Sequence, residues 1–133
     1  MRHVIPPDIK NVIQFMHNYR QFNSELSTEL KPLGLSIDGC LVLYLLNGAT
    51  DQTTTKLADR LGLNLPTATK LLDRLVADNY VHRKPHPSDR RVIRILLTQE
   101  GEEKAVEAES VTDQFLKDFS RKEPKLARMV REL

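Results

Sequence analysis

Tryptophan is absent from this sequence, and Cys40 is its only cysteine. One thiol cannot close an internal disulfide, so a disulfide-stapled scaffold is excluded and a reducing compartment is expected. Aromatic bulk is limited to three tyrosines and four phenylalanines. No stretch reaches the roughly 18 apolar residues that span a bilayer, and the opening MRHVIPPDIK has no apolar core behind its charge to act as a signal peptide. The expectation is a soluble cytoplasmic chain with no membrane partner. There is no glycine-rich phosphate loop, no nucleophile elbow and no recognisable pair of acids, so an enzyme is not expected, nor a cofactor. His3, His17, His82 and His86 have no paired spacing with cysteine or carboxylates, and no metal site is expected.

What is present suits one folded domain. The chain of 133 residues is long enough for one core and short for two, and its charged fraction of 29% is ordinary. The net charge of +2 conceals an uneven distribution. Residues 1–55 carry four basic and five acidic groups, residues 56–94 nine and four, and residues 95–133 seven and nine. A basic middle between acidic ends is the footprint of a nucleic-acid surface built into one part of a fold.

Hydrophobic spacing places the elements. Ile9, Val12, Ile13, Met16, Tyr19, Phe22, Leu26 and Leu30 recur at three and four residues, predicting an amphipathic helix from Asp8 to about Leu30 behind Pro6 and Pro7. Ser36 is a candidate N-cap for a helix from Ile37 to about Leu46, whose run CLVLYLL is apolar on every side and reads as central core. A threonine of DQTTT caps a short helix that buries Leu57, Ala58 and Leu61 and stops at Gly62. The next helix carries Pro66 in its first turn, turns Ala68, Leu71, Leu72 and Leu75 inward, and leaves Thr67, Thr69, Lys70, Asp73 and Arg74 outside. YVHRK and RVIRILLT alternate as strands around the turn PHPSDR, with Val92, Ile95 and Leu97 as the apolar members of the second strand. Thr98 then caps a long acidic-ended helix, with Val106, Phe115, Leu116 and Phe119 at its apolar positions. Pro124 opens a last helix bearing Leu126, Met129, Val130 and Leu133.

Helix, short glycine turn, helix and two-stranded ribbon is the order of a winged helix-turn-helix, a mainly α fold with a small β-hairpin wing. In such a fold the second helix enters the major groove by its N-terminal end, and a basic wing lies on the backbone or in the minor groove. The candidate DNA-binding residues are Thr55, Thr67, Thr69, Lys70, Asp73 and Arg74 on the helices, with Arg83, Lys84, Asp89, Arg90 and Arg91 on the wing. His82 and His86 fall on the same side. Asp73 either orients a neighbouring cation or accepts from a cytosine amine. Asp89 braces an arginine through a charge-assisted hydrogen bond.

The run DRRVIRILLTQEG contains Asp89, Arg91, Ile95, Leu97, Thr98 and Gly101 at the spacing of a wing signature. It resembles that of the MarR family of bacterial transcriptional regulators, and LADRLGLNLPTATKLLDRLVADNYVHRKP is similar to the family's helix-turn-helix. The resemblance implies a homodimer, with residues 1–34 and 102–133 as dimerisation helices around a DNA-binding lobe at 35–101, all one domain from 1 to 133. It implies a pseudo-palindromic duplex operator, with recognition helices about 34 Å apart. It further implies a small aromatic or phenolic ligand, for which His17, Tyr19, Arg20 and Tyr44 are the candidate residues. The resulting expectation is a repressor released by that ligand. The alternatives are a winged-helix module that binds only protein, and a redox-responsive repressor using Cys40. A cysteine in an apolar run behaves as a small hydrophobe unless a cation or helix N-terminus lowers its pKa.

Overall fold

The computed structural model describes residues 3–132, with the backbone alone at residues 129, 130 and 132. Six α-helices and one hairpin follow in order. Helix α1 spans Pro7–Leu30 and a 3-10 turn Lys31–Leu33; α2 spans Ile37–Leu46, α3 Thr54–Leu61 and α4 Leu65–Ala77. Strands β1 (Val81–Pro85) and β2 (Ile93–Leu97) form the hairpin, before α5 (Gln99–Lys122) and α6 (Pro124–Glu132). Met129, Val130 and Leu133, expected on the apolar side of the last helix, lie outside the described side chains.

Local chemistry explains the boundaries. Pro7 sits at the first position of α1, where a missing N–H costs no helical bond. The Ser36 hydroxyl accepts from Gly39 N at 3.0 Å, and the Thr53 hydroxyl from Lys56 N at 3.3 Å. Asn64 Oδ1 accepts from Thr67 N at 2.9 Å, satisfying an orphan amide at the start of α4. At the other end of that helix Asn79 adopts φ 63°, the left-handed conformation that stops a helix.

Helix α2 is the centre of the core. Its Cys40, Val42, Leu43 and Leu46 are buried against Leu57, Leu72, Leu75, Val81 and Ile95. Ala105 and Ala108 on α5 are fully buried, and their small side chains let that helix lie close over the rest. Removing one such buried leucine to alanine, as at Leu43, costs about 2–5 kcal/mol. Phe22 meets Phe115 and Phe119 edge-on with ring centroids 5.6 and 5.4 Å away, fastening α1 to the C-terminal half of α5.

Two apolar assignments do not match this core. Val92 precedes β2 and is 38% exposed, because a period of two puts Ile95 and Leu97 on one face and leaves Val92 at the other parity. Val106 is 63% exposed, since Ala105 and Ala108 take the inward positions of α5. In α1 the split runs along the helix: Leu26 and Leu30 are buried, whereas Ile9, Val12, Ile13 and Tyr19 are exposed in the single chain.

Candidate nucleic-acid interface

Two elements compose the basic surface, and the hydrogen bonds between and within them set its shape. Thr67, Thr69 and Lys70 stand exposed on the first turns of α4, and Thr55 on the first turn of α3. The buried face of α4, Ala68, Leu72 and Leu75, fixes its rotation, so these polar residues face outward by helical spacing. Further along, Arg74 Nε donates to Asp78 Oδ2 at 3.2 Å, one turn on. Lys70 and Lys84 have no carboxylate partner among the described residues, and neither does Arg90.

Asp73 pairs with a cation of the wing. Its Oδ1 accepts from Arg83 Nη2 at 2.7 Å, an ion pair between α4 and β1. Strand parity explains why Arg83 reaches it. Arg83 lies opposite the fully buried Ile95, and directly opposed residues share a face, so Arg83 is on the core-facing side of the hairpin. Lys84, next in sequence, is on the other side, and the two neighbours grouped as one basic patch therefore have different surroundings.

At the tip, residues 86–92 form the loop. Asp89 Oδ1 accepts from both Arg91 N and Arg91 Nε at 3.1 Å, and Asp89 Oδ2 from Arg91 Nη2 at 3.3 Å. The Arg91 side chain is 91% exposed even so, with its guanidinium pre-set in one direction. Hydrogen bonds from the Arg91 side chain and then its amide hold the Asp89 carboxyl below the ordinary aspartate value. Nδ1 of His86 accepts from Ser88 N at 3.0 Å, and His86 N donates to the Val92 carbonyl at 2.7 Å, which closes the loop.

Arg94 is not part of the tip. Its Nη1 donates to the Thr50 carbonyl at 3.1 Å, and Ile95 N donates to the Gln52 carbonyl at 2.8 Å, so the segment before α3 runs alongside β2. Nothing local in RVIRILLT named Thr50 as the acceptor of Arg94. The end of the wing signature also acquires a reason. The Thr98 hydroxyl donates to the Asn79 carbonyl at 2.6 Å and accepts from Gly101 N at 2.9 Å, and a Cβ on Gly101 would collide with the Tyr80 carbonyl.

The four candidate ligand residues are not gathered in one chain. His17, Tyr19 and Arg20 are exposed on α1, whereas Tyr44 is half-buried on α2. Tyr44 Oη donates to Thr112 Oγ1 at 2.8 Å and borders a concavity of about 490 Å³ with Val106, Glu109, Ser110, Thr112, Asp113 and Leu116. Burial pushes its phenol above the ordinary value. Cys40 lies close by, 1% exposed, its Sγ 3.8 Å from Thr112 Oγ1, and burial pushes the thiol up. A reactive thiolate needs the opposite shift, so the surroundings of Cys40 disfavour the redox alternative.

Among the described residues no cluster of three or more His, Cys, Asp or Glu is arranged around a metal position, and no helix is long and apolar enough to cross a membrane.

Comparison with known proteins places this arrangement. Residues 35–93, from the start of α2 to the wing, match the MarR family. The multiple antibiotic resistance protein MarR of Escherichia coli is 33% identical over 89 residues, 66% of this chain and 62% of that protein. The matches span 47%, 55% and 62% of the first three curated relatives. In three dimensions, a mutant of E. coli MarR complexed with operator DNA superposes with a TM-score of 0.75 at 22% identity, covering 98% of this chain and 97% of that one. CouR from Rhodococcus jostii, bound to p-coumaroyl-CoA, gives 0.76 at 22%, covering 98% and 92%. At these identities the structural likeness is one of fold. The sequence match over residues 35–93, which takes in the helix-turn-helix and the first strand of the wing, makes this segment similar to the MarR family.

Proposed function

We propose that the chain is a dimeric, sequence-specific regulator that binds duplex DNA, acts as a repressor in the cytoplasm and has no catalytic activity. The observation that carries this reading is the pairing of an exposed α4 N-terminal turn with a pre-set arginine at the wing. Thr67, Thr69 and Lys70 meet base edges and phosphates in the major groove, and Thr55 meets the backbone. Arg91, aimed by Asp89, enters the minor groove, with Arg90 on the backbone beside it and Lys84 on the backbone further along the hairpin. Asp73 and Arg83 hold the two elements in register. Arg74, held by Asp78, stands on the same exposed side as Lys70.

The dimer follows from α1 and the last helices. Ile9, Val12, Ile13 and Tyr19 form an apolar face that the single chain leaves uncovered, as at an interface between copies. The lobe at 35–101 is then carried by residues 1–34 and 102–133. A two-fold dimer favours a pseudo-palindromic operator. The concavity beside Tyr44 takes a small aromatic or phenolic ligand, with His17, Tyr19 and Arg20 assigned to the adjoining dimer interface; ligand binding lowers DNA affinity by favouring a conformation with different spacing between the recognition helices.

Selection of bound fragments from the source genome, followed by titration of a selected fragment against bulk competitor at several salt concentrations, tests the reading. Affinity falls steeply with salt and preference for the fragment persists. Binding without preference, or no duplex binding, overturns it in favour of a protein-interaction module.

A further inference from the structure

Lys84 and Arg94 stand directly opposite each other in the hairpin. Opposed residues of an antiparallel pair share a face with Cβ atoms roughly 4.5–5.5 Å apart, and like charges so placed repel. Two other wing cations are paired within the fold, Arg83 with Asp73 and Arg91 with Asp89, whereas Arg90 at the tip is not. Lys84 and Arg94 have no carboxylate among the described residues. Their face also carries His82 and Leu96, and it is the reverse of the face that holds Val81, Arg83 and Ile95. Asp73 serves that inner face, so it does not relieve the repulsion on the outer one.

Arg94 is also positioned. The Thr50 carbonyl holds its Nη1 at 3.1 Å, while its Nε–H has no acceptor among the described residues. The guanidinium therefore sits between the wing and the segment that leads into Thr53, the cap of α3, with its Nε buried. Two opposed cations, one of them fixed and neither given an acid, leave a place for an anion brought by the binding partner. On a surface that meets duplex DNA, that anion is a backbone phosphodiester.

We propose that Lys84 and Arg94 together clamp one phosphodiester of the duplex, at the junction of the wing and the entrance to α3 and apart from the tip contact of Arg90 and Arg91. The proposal rests on the DNA-binding reading above. Through the Thr50 carbonyl, Arg94 also ties this phosphate to the segment that positions Thr55. The contact reads no bases and sets register and orientation.

Because a backbone contact is sequence-independent, the probe is a mixed-sequence duplex of about 25 base pairs, titrated across a salt series with wild type, Lys84→Gln, Arg94→Gln, Arg94→Lys and the double glutamine variant. The double variant should shallow the slope of log affinity against log salt by about 0.9, the value for one phosphate, with each single glutamine variant shallowing it less. Arg94→Lys should keep the wild-type slope. A loss near twice that value would assign the two residues to separate phosphates and overturn the shared clamp. An unchanged slope in the double variant, with a lowered thermal midpoint, would make the pair a structural tie only and overturn it too. If wild type binds no duplex, the DNA-binding reading fails first, and the two failures are thereby distinct.

Discussion

Arg83 donates through Nη2 to Asp73 Oδ1 at 2.7 Å, and this ion pair joins the inner face of the hairpin to the outer side of α4. Both side chains are partly exposed, so the pair contributes at most about 1 kcal/mol to folding. Its larger effect is on angle: on the proposed reading the wing and recognition helix contact the same duplex, so their relative orientation must be set before binding. Asp73→Asn removes a negative charge from the DNA face while freeing Arg83. Affinity for arbitrary duplex should therefore hold or rise, and preference for a selected operator should fall. Competition binding with operator and bulk duplex checks this, and equal loss on both would assign Asp73 a purely folding role.

Asp89 gives a pH prediction with a definite sign. Its carboxyl is held low by Arg91, so the stabilisation of the wing turn is fully present above the unfolded aspartate value of about 4 and disappears as pH falls through the folded value below it. Between pH 5 and 8 the Arg91 Nε–H resonance should keep one shift, and it should move to that of a free side chain only in stronger acid. In Asp89→Asn the resonance should already lie near the free position at neutral pH.

The helices were legible because burial imposes a period: Ala68, Leu72 and Leu75 named the inner face of α4, and Ser36 and Thr98 sit where helix chemistry needs an acceptor, whereas the Asn64 cap of α4 was not read. The strands were legible in outline, yet Val92 was assigned inward although its parity opposes that of Ile95. The same rule separates Arg83 from Lys84. Asp73 with Arg83, and Arg94 with Thr50, were out of reach in a different way. Each joins two elements, and no local pattern specifies which acceptor a long cation meets. The Tyr44 contact was out of reach for a related reason: its hydroxyl meets Thr112 on α5, far along the chain, whereas His17, Tyr19 and Arg20 are exposed on α1.

Gly101→Ala sets two effects of opposite sign against each other. In an ordinary helix the change stabilises by about 1 kcal/mol. Here the added Cβ meets the Tyr80 carbonyl, which is already fixed by Thr98 N at 3.0 Å, and it also presses Leu97 Cδ2 at 3.2 Å. Backbone cannot rotate aside as a flexible side chain does, so overpacking prevails, and the net cost should be about 1–3 kcal/mol. Urea denaturation of the two proteins measures it; a more stable Gly101→Ala protein would mean that the α5 start shifts freely against the end of α4.

The outer face of α1 carries the strongest test of assembly. Ile9 is 51% exposed, Val12 60% and Ile13 53%, one helical turn or less apart, while the same helix buries Leu26 and Leu30 further on. A helix with that division folds onto its own core at one end only, and its other end gains from burial against a second copy at about 25 cal/mol per Å² of apolar area. Ile13→Asp places a charge where that contact forms, without touching the residues buried within the chain. Sedimentation should show the dimer mass falling to that of one chain, with helical content retained. DNA affinity should fall with it, because one protomer engages one half-site and loses the effective concentration supplied by the other. A dimer that persists in Ile13→Asp would remove this face from the interface and move the contact to the C-terminal helices.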